Sequence, residues 1–184
     1  MAWNDPPTAS NGTTPADAAW HNAYIRDNEN ALKRRYIHLG RPKLSGVATD
    51  SSYGHHAAWS LGSSAASGMA KWTVDLPAEY GTLAEAIVRV VSLETQTVVY
   101  SVQAGWGNTG EQANLTTDSI ANTALAMTSG RPTDIDISAA LTGLASNDQL
   151  GLRFVRDGGD ASDNFGTGTG FYVLSAVLGY DLAS

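Results

Sequence analysis

The chain contains no cysteine among its 184 residues, which excludes disulfide bonds, thiolate zinc sites and cysteine nucleophiles. Charged residues are also scarce, since they make up 16% of the chain against a typical share of about a quarter. The net charge is −7, and this acidity disfavours nucleic acid as a partner across most of the surface. Low charge combined with 19 glycines is typical of a β-rich protein with small residues in its turns.

Long hydrophobic runs are absent as well. No window of the sequence reaches the ~20 apolar residues that a membrane-spanning helix needs. The start of the chain, residues 1–7, has neither the basic segment nor the apolar segment of a signal peptide. We therefore expect a protein that is made in the cytoplasm and has no membrane partner.

A helix is predicted from about residue 15 to residue 36, after an extended arm that carries Trp3. Thr14 suits the N-cap and Pro15 the first helical position, and Asp17 completes a capping pattern. The basic residues at 33–35 fall in the last turn, where they complement the helix dipole, and we prefer this to a nucleic-acid interpretation. A helix with so thin an apolar stripe needs a partner surface. The predicted docking residues are Trp3, Trp20, Tyr24 and Ile25.

Residues 41–68 are predicted to form a loop-rich neck, and residues 69–184 a β-sheet knob. Apolar and polar residues alternate at 70–76, 97–104 and 150–155, with the period of half-buried strands. Seven or eight such strands, separated by Gly, Asn and Asp turns, predict an antiparallel β-sandwich or jelly roll. The fold class is therefore mainly β, with an N-terminal arm and α-helix.

Two strands of the knob are apolar on both faces, which is unusual in a monomeric sandwich. They contain Ile87, Val91, Val173 and Val177. We predict that copies of the chain bury these residues at a symmetric interface, with a homotrimer favoured and a dimer still open.

The N-terminal sequence has a recognisable pattern. Asn22, Ile25, Arg26, Asp27, Asn28 and Leu32 form an N-x-x-I-R-D-N-x-x-x-L run behind a Trp/Pro/Thr-rich arm. This stretch resembles the opening segment of a family of tailed-bacteriophage structural proteins. Residues 152–158 and 171–180 resemble the last strands of jelly-roll knobs in phage fibre and decoration proteins. The resemblance implies a virion-surface component, made in the host cytoplasm, usually trimeric, without catalysis, whose partners are itself and capsid or tail proteins.

Enzymatic signatures are absent from the sequence. None of the four histidines has metal-ligand spacing, and His55 and His56 would point in opposite directions along a strand. Asp157, Asp160 and Asp163 recur in a glycine-containing turn that is compatible with calcium, although plain turn chemistry is favoured. No motif pairs two carboxylates for glycoside hydrolysis. We expect no enzyme activity, no metal and no cofactor.

Aromatic residues near the predicted loops raise the question of glycan binding. Trp106 and Trp59 are the candidate ligand-binding residues, with Tyr53 and Tyr80 nearby. An exposed aromatic cluster would favour binding of a host-surface glycan, whereas a buried one would favour a purely structural role. The sequence predicts a trimeric head-fibre or decoration protein of the capsid, and the alternative is a tail-fibre or tail-tip protein whose knob binds host-surface glycan.

Overall fold

Eleven strands and one short 3-10 helix account for most of the residues that the structure, a computed structural model, describes: 33–62, 67–111, 118–164 and 170–183. The strands are β1 (Arg34–Leu39), β2 (Lys43–Gly46), β3 (Thr49–Tyr53), β4 (His56–Ser60), β5 (Gly68–Asp75), β6 (Tyr80–Ser92), β7 (Gln96–Gly107), β8 (Asp118–Met127), β9 (Thr133–Asp136), β10 (Gln149–Arg156) and β11 (Phe171–Leu182). The 3-10 helix spans Ser138–Ala140 and follows β9.

The strands form two antiparallel sheets. Sheet A has the order β3-β4-β11-β6-β9, and β1 also pairs with β11. Strand β1 lies along the C-terminal part of β11 and β4 along its N-terminal part, so the two share one edge of that strand. Sheet B has the order β2-β5-β10-β7-β8. The predicted antiparallel β-sandwich is confirmed.

The core lies between the sheets and follows the alternation seen in the sequence. Trp72 on β5 and the stacked pair Tyr100 and Phe154, with ring centroids 5.5 Å apart, fill it from sheet B. Ala86, Val88 and Val90 of β6 are fully buried opposite them on sheet A. The buried Trp72 indole donates a hydrogen bond to the carbonyl of Gly40 at 2.9 Å, so its polar group stays satisfied.

The structure corrects two predictions about the first third of the chain. The predicted neck at 41–68 contains β2, β3 and β4, which are strands of the two sheets. The predicted helix at 15–36 is wrong for its last residues, because Arg34–Leu39 form strand β1. Arg34 therefore does not interact with a helix dipole; it pairs instead with Asp181 on the neighbouring strand, 3.0 Å away. The rest of the predicted helix and the arm lie outside the described residues.

Candidate functional site

A groove lies on the outer face of sheet A, on the side away from the core. It is lined by Tyr53, His56, Ala57, Arg89, Pro132, Leu174 and Ser175 and has a volume of about 380 Å³. Four parts of the chain contribute: the β3–β4 hairpin, strand β6, the turn between β8 and β9, and the bulged strand β11. We call it the outer-face groove.

The β3–β4 hairpin forms one wall of the groove because it leaves the plane of the sheet. Strand β4 pairs with β11 only at Trp59 and Ser60, although its hairpin continues to His56. The hairpin turns at Gly54, whose φ of +58° suits glycine in a tight two-residue turn. At its end, the hydroxyl of Tyr53 lies 3.4 Å from the position of a Cβ on Gly130, in the turn between β8 and β9. The tip of the hairpin therefore overhangs the sheet.

A second tyrosine packs against Tyr53, which lines the groove. Tyr53 and Tyr172 have ring centroids 5.9 Å apart and ring planes tilted by 51°. A Cβ at Gly170 would overlap the Tyr172 ring, so a glycine there lets the ring fold back over the backbone. Both tyrosines are half-buried, which leaves part of each ring open to solvent.

Arg89, on the floor of the groove, forms a charged pair with Asp134, which lies beside the groove. Arg89 lies directly across from Asp134 in the β6–β9 ladder and bonds it in a bidentate manner, at 2.6 Å from Nε to Oδ1 and 2.7 Å from Nη2 to Oδ2. The hydrogen bond from Arg89 holds the pKa of Asp134 below its usual value, and the same bond raises the pKa of Arg89. Nη1 of Arg89 has no hydrogen-bond partner among the described residues, so the planar pair keeps donors for a ligand.

A β-bulge shapes the opposite side of the floor. The register of β11 against β6 shifts between Val173 and Ser175, so one extra residue is accommodated. The consecutive residues Leu174 and Ser175 both line the groove as a result. Bulges commonly redirect side chains in this way beside functional sites.

The two tryptophans predicted to bind ligand lie elsewhere. Trp59 is in β4 and Trp106 in β7, and both are half-buried and pack against the core. The Trp106 ring also approaches Gly143, at 4.0 Å from the position of a Cβ there. Both residues lie one position from the end of their strands, close to the following loops, and their packing against the core agrees with a structural role.

A second groove of about 460 Å³ lies at one end of the sandwich. It is lined by Tyr80, Gly81, Thr82, Leu83, Ser138, Leu141, Thr142, Gly143 and Leu144. None of these residues is charged, and the side chains are mostly apolar, so this groove offers little to orient a polar ligand.

The aspartates of the 157–163 turn are used by the fold. The side chain of Asp163 is fully buried against Arg156 and also accepts a hydrogen bond from the backbone N–H of Val99 at 3.0 Å. Asp157 and Asp160 both accept from the side-chain amide of Asn122, at 2.9 and 3.4 Å. Among the described residues, no group of three or more His, Asp or Glu side chains is placed to hold a metal ion. The geometry accordingly agrees with turn chemistry.

The predicted interface residues divide into two pairs. Val91 and Val173 are fully buried within a single chain, so the expectation that they meet a neighbouring copy is wrong for their side chains. Ile87 and Val177 face each other across the β6–β11 ladder and are only half-buried. The docking residues Trp3, Trp20, Tyr24 and Ile25 lie outside the described residues.

Sequence reasoning missed Arg89 with Asp134, and it missed Tyr172. One signal was present, because Arg89 is the only charged residue in the apolar run 86–91. A lone charge in such a strand indicates a partner on the neighbouring strand or a role at a surface.

Within the described part of the chain, no helix is long and apolar enough to cross a membrane.

Neither a known protein family nor a curated protein matches the sequence. Among solved structures, the chain is similar to a family 36 carbohydrate-binding module in complex with calcium and xylotriose, at 16% identity and a TM-score of 0.41, over 81% of this chain and 99% of that one. A family 36 module of a multidomain xylanase from the hindgut metagenome of Trinervitermes trinervoides gives 11% identity and a TM-score of 0.46, over 82% and 99%. The enzymatically active domain of tailspike protein 4 from bacteriophage CBA120 gives 12% and 0.40, over 85% of this chain and 20% of that one. Values this low concern the fold alone.

Proposed function

We propose that the chain is a surface protein of a tailed-phage virion whose β-sandwich binds a host-surface carbohydrate in the outer-face groove, without catalysis. The observation that carries the binding role is the combination of Tyr53, backed by Tyr172, with Arg89, whose partner Asp134 lies beside the groove. Attachment to the virion is supported by the sequence resemblance at residues 22–32.

The chemistry of the groove suits a sugar ring. A sugar presents an apolar C–H face and a rim of hydroxyls, and the half-open tyrosine rings offer apolar surface together with phenolic hydroxyls. The remaining donors of Arg89 and the carboxylate of Asp134 can bond neighbouring hydroxyls, and charge-assisted bonds of this kind are the stronger ones. A volume of about 380 Å³ is at the small end for ligand sites, so the end of a glycan chain fits better than a long stretch.

The placement of the carboxylates supports binding without hydrolysis. Hydrolysis of a glycosidic bond normally needs two carboxyl groups flanking that bond. No Asp or Glu is among the described residues that line the groove, and the neighbouring Asp134 is committed to Arg89. The arrangement holds a ligand but supplies no acid and base pair.

The test is a screen of the full chain against an array of bacterial-surface glycans, followed by titration calorimetry with the best hit. Tyr53→Ala and Arg89→Gln should each weaken binding at least tenfold, because one removes the wall and the other the donors. Tyr36→Ala is the matched control, since it removes an exposed tyrosine on β1 outside the groove. If all three variants bound the glycan with the affinity of the wild-type chain and kept its unfolding midpoint, the proposal would be contradicted. The absence of any hit on the array would contradict it as well.

A trimeric decoration protein of the capsid is the second candidate, favoured by a different observation. Ile87 and Val177 form a half-buried apolar pair on the outer face of sheet A, beside Tyr36, which is 51% exposed. The Tyr36 ring packs over Gly179, its register partner, which lies two residues beyond Val177 on β11. A neighbouring copy that covered this patch would support the symmetric interface predicted from the sequence.

A further inference from the structure

Three cations stand side by side on the outer face of sheet B. Lys43 on β2 is the register partner of Lys71 on β5, and Lys71 is the partner of Arg153 on β10. The residues that alternate with them, Ala70 and Leu152 among others, are buried in the core, so the three side chains share the solvent face. We call this set the cationic row.

The cationic row forms no ion pair with a described residue. Arg153 donates to the neutral side chain of Gln103 at 3.0 Å, and its Nε is buried without a partner. The register row on one side consists of Ser45, Met69, Val155 and Ser101. The row on the other side contains Thr73, Gly151 and Gly105. Neither adjacent row contains an acidic residue, although the chain as a whole carries a net charge of −7.

Like charges at directly opposed positions destabilise a sheet, so the presence of three neighbouring cations calls for an explanation. Lysines on an edge strand protect the edge from pairing with other chains, which accounts for Lys43 on β2. That reason does not extend to Lys71 and Arg153, because β5 and β10 are interior strands of sheet B. A ligand that neutralises all three cations accounts for the whole row.

We propose that the cationic row binds an anionic polysaccharide lying across the strands. Adjacent strands are ~4.8 Å apart, so the three cations span ~10 Å in a straight line. Gln103 and Ser119 continue the same register row across β7 and β8, which extends it with neutral hydrogen-bonding groups to ~19 Å. Gly151 and Gly105 leave the neighbouring positions without side chains, so a chain of sugar rings can lie flat against the sheet.

A polysaccharide suits the row better than nucleic acid does. The row holds only three cations on a protein of net charge −7, and nucleic-acid binding draws its affinity from many phosphate contacts. The row lies on sheet B and the outer-face groove on sheet A, so the two sites are independent. Failure at one therefore leaves the other untouched.

The test measures binding of polygalacturonate to the full chain by biolayer interferometry, with neutral dextran and single-stranded DNA as comparison ligands. The wild-type chain should bind polygalacturonate and not dextran, with a slope of log affinity against log salt of about −2 to −3, as three neutralised charges predict. The triple variant Lys43→Gln, Lys71→Gln, Arg153→Gln should bind at least tenfold more weakly. The matched control Lys33→Gln, Arg35→Gln, Arg131→Gln makes the same change in net charge away from the row and should bind as wild type.

Three results would overturn the proposal. Equal weakening in the two triple variants would mean that the effect is one of net charge. Tighter binding of DNA than of polygalacturonate would assign the row to nucleic acid. The third result has two parts: the wild-type chain does not bind polygalacturonate, and the single variant Lys43→Gln associates with itself. It would mean that the row serves only to protect the edge of sheet B. Variants of the row should leave binding in the outer-face groove unchanged, so the two proposals fail separately.

Discussion

The guanidinium of Arg156 lies 2.7 Å from the carboxylate of Asp163, and both side chains are completely buried. Arg156 also donates to the carbonyl of Gly62 at 2.8 Å, and Asp163 accepts from the backbone of Val99. The pair thus connects the end of β10 to the turn that follows it, to β7 and to the residues after β4. A buried ion pair with these additional bonds fixes the geometry of the turn even where its net contribution to stability is small.

Asp163→Asn should destabilise the chain strongly, because it leaves the charge of Arg156 buried without its partner. Losses of about 3–5 kcal/mol are typical when one member of a buried pair is removed. Chemical denaturation followed by tryptophan fluorescence measures the change in the free energy of unfolding.

The control is Asp160→Asn in the same turn, which alters an acceptor for the N–H of Ser162 at the surface. It should shift the denaturation midpoint far less than Asp163→Asn does. The double variant Arg156→Met, Asp163→Leu should recover part of the loss, since two apolar side chains replace the pair without leaving a charge. If Asp160→Asn and Asp163→Asn lowered the free energy of unfolding by similar amounts, the buried Arg156–Asp163 pair would have no stabilising role beyond that of a surface aspartate.

The knob was predictable where the strands alternate. The segments at 70–76 and 150–155 became β5 and β10, with Trp72, Leu150 and Phe154 buried as their spacing indicated. Strands β2 to β4 were not predictable in this way. They are four or five residues long, contain four serines between them and are mostly exposed. Strands β2 and β4 pair with strands far along the chain, so their pairing leaves no period in the local sequence.

The bulge in strand β11 explains why the outer-face groove could not be predicted from the sequence. Val173 and Val177 are four residues apart, and regular alternation puts both on one face. The bulge between Val173 and Ser175 reverses the alternation, so Val173 points into the core and Val177 outward. The same bulge places Leu174 and Ser175 in the outer-face groove. A register shift set by packing has no signature in local sequence.

The free energy of unfolding should decrease above pH 10, because the pKa of Tyr80 is higher in the folded chain than in the unfolded chain. Burial, with a smaller contribution from the charge of Asp148, raises the pKa of Tyr80 to about 12. Between pH 10 and 12 the unfolded chain loses this proton while the folded chain keeps it, so the free energy of unfolding decreases as the pH rises. Below pH 10 both states are protonated and the group contributes no pH dependence. Urea denaturation at pH 9, 10 and 11 measures the slope.

Tyr80→Phe tests the same hydroxyl at neutral pH. The hydroxyl is buried without a hydrogen-bond partner among the described residues, and such a group costs about 1–3 kcal/mol. The variant should therefore be as stable as wild type or more so at pH 7, and it should show a shallower decline above pH 10. Tyr36→Phe, at an exposed ring, should leave the midpoint at pH 7 unchanged. A marked loss of stability in Tyr80→Phe would mean that the hydroxyl is satisfied.

A chain that starts at Lys33 should fold, and a chain that starts at Ser67 should not. The shorter chain lacks β1 to β4, which removes the buried residues Leu39 and Leu61 and the carbonyl of Gly40 that accepts from Trp72. It also leaves one edge of β11 unpaired. Circular dichroism and thermal unfolding separate the two. Cooperative unfolding of the chain that starts at Ser67 would show that this part folds without β1 to β4, as the prediction of a separate neck at 41–68 requires.

Val177→Glu should reduce self-association if the apolar patch on sheet A is an interface. The new carboxylate would stand beside Ile87 and near Glu85 and Asp136, so a covering copy would have to bury several like charges together. Light scattering of the full chain over a range of concentrations measures the mass. Leu93→Glu is the matched control, because Leu93 is 45% exposed in the turn after β6, away from the patch. A trimer in the wild type and in Leu93→Glu, with a monomer in Val177→Glu, would support the decoration role. A wild-type monomer at every concentration would remove the patch as an argument for it and leave glycan binding as the function of a single domain.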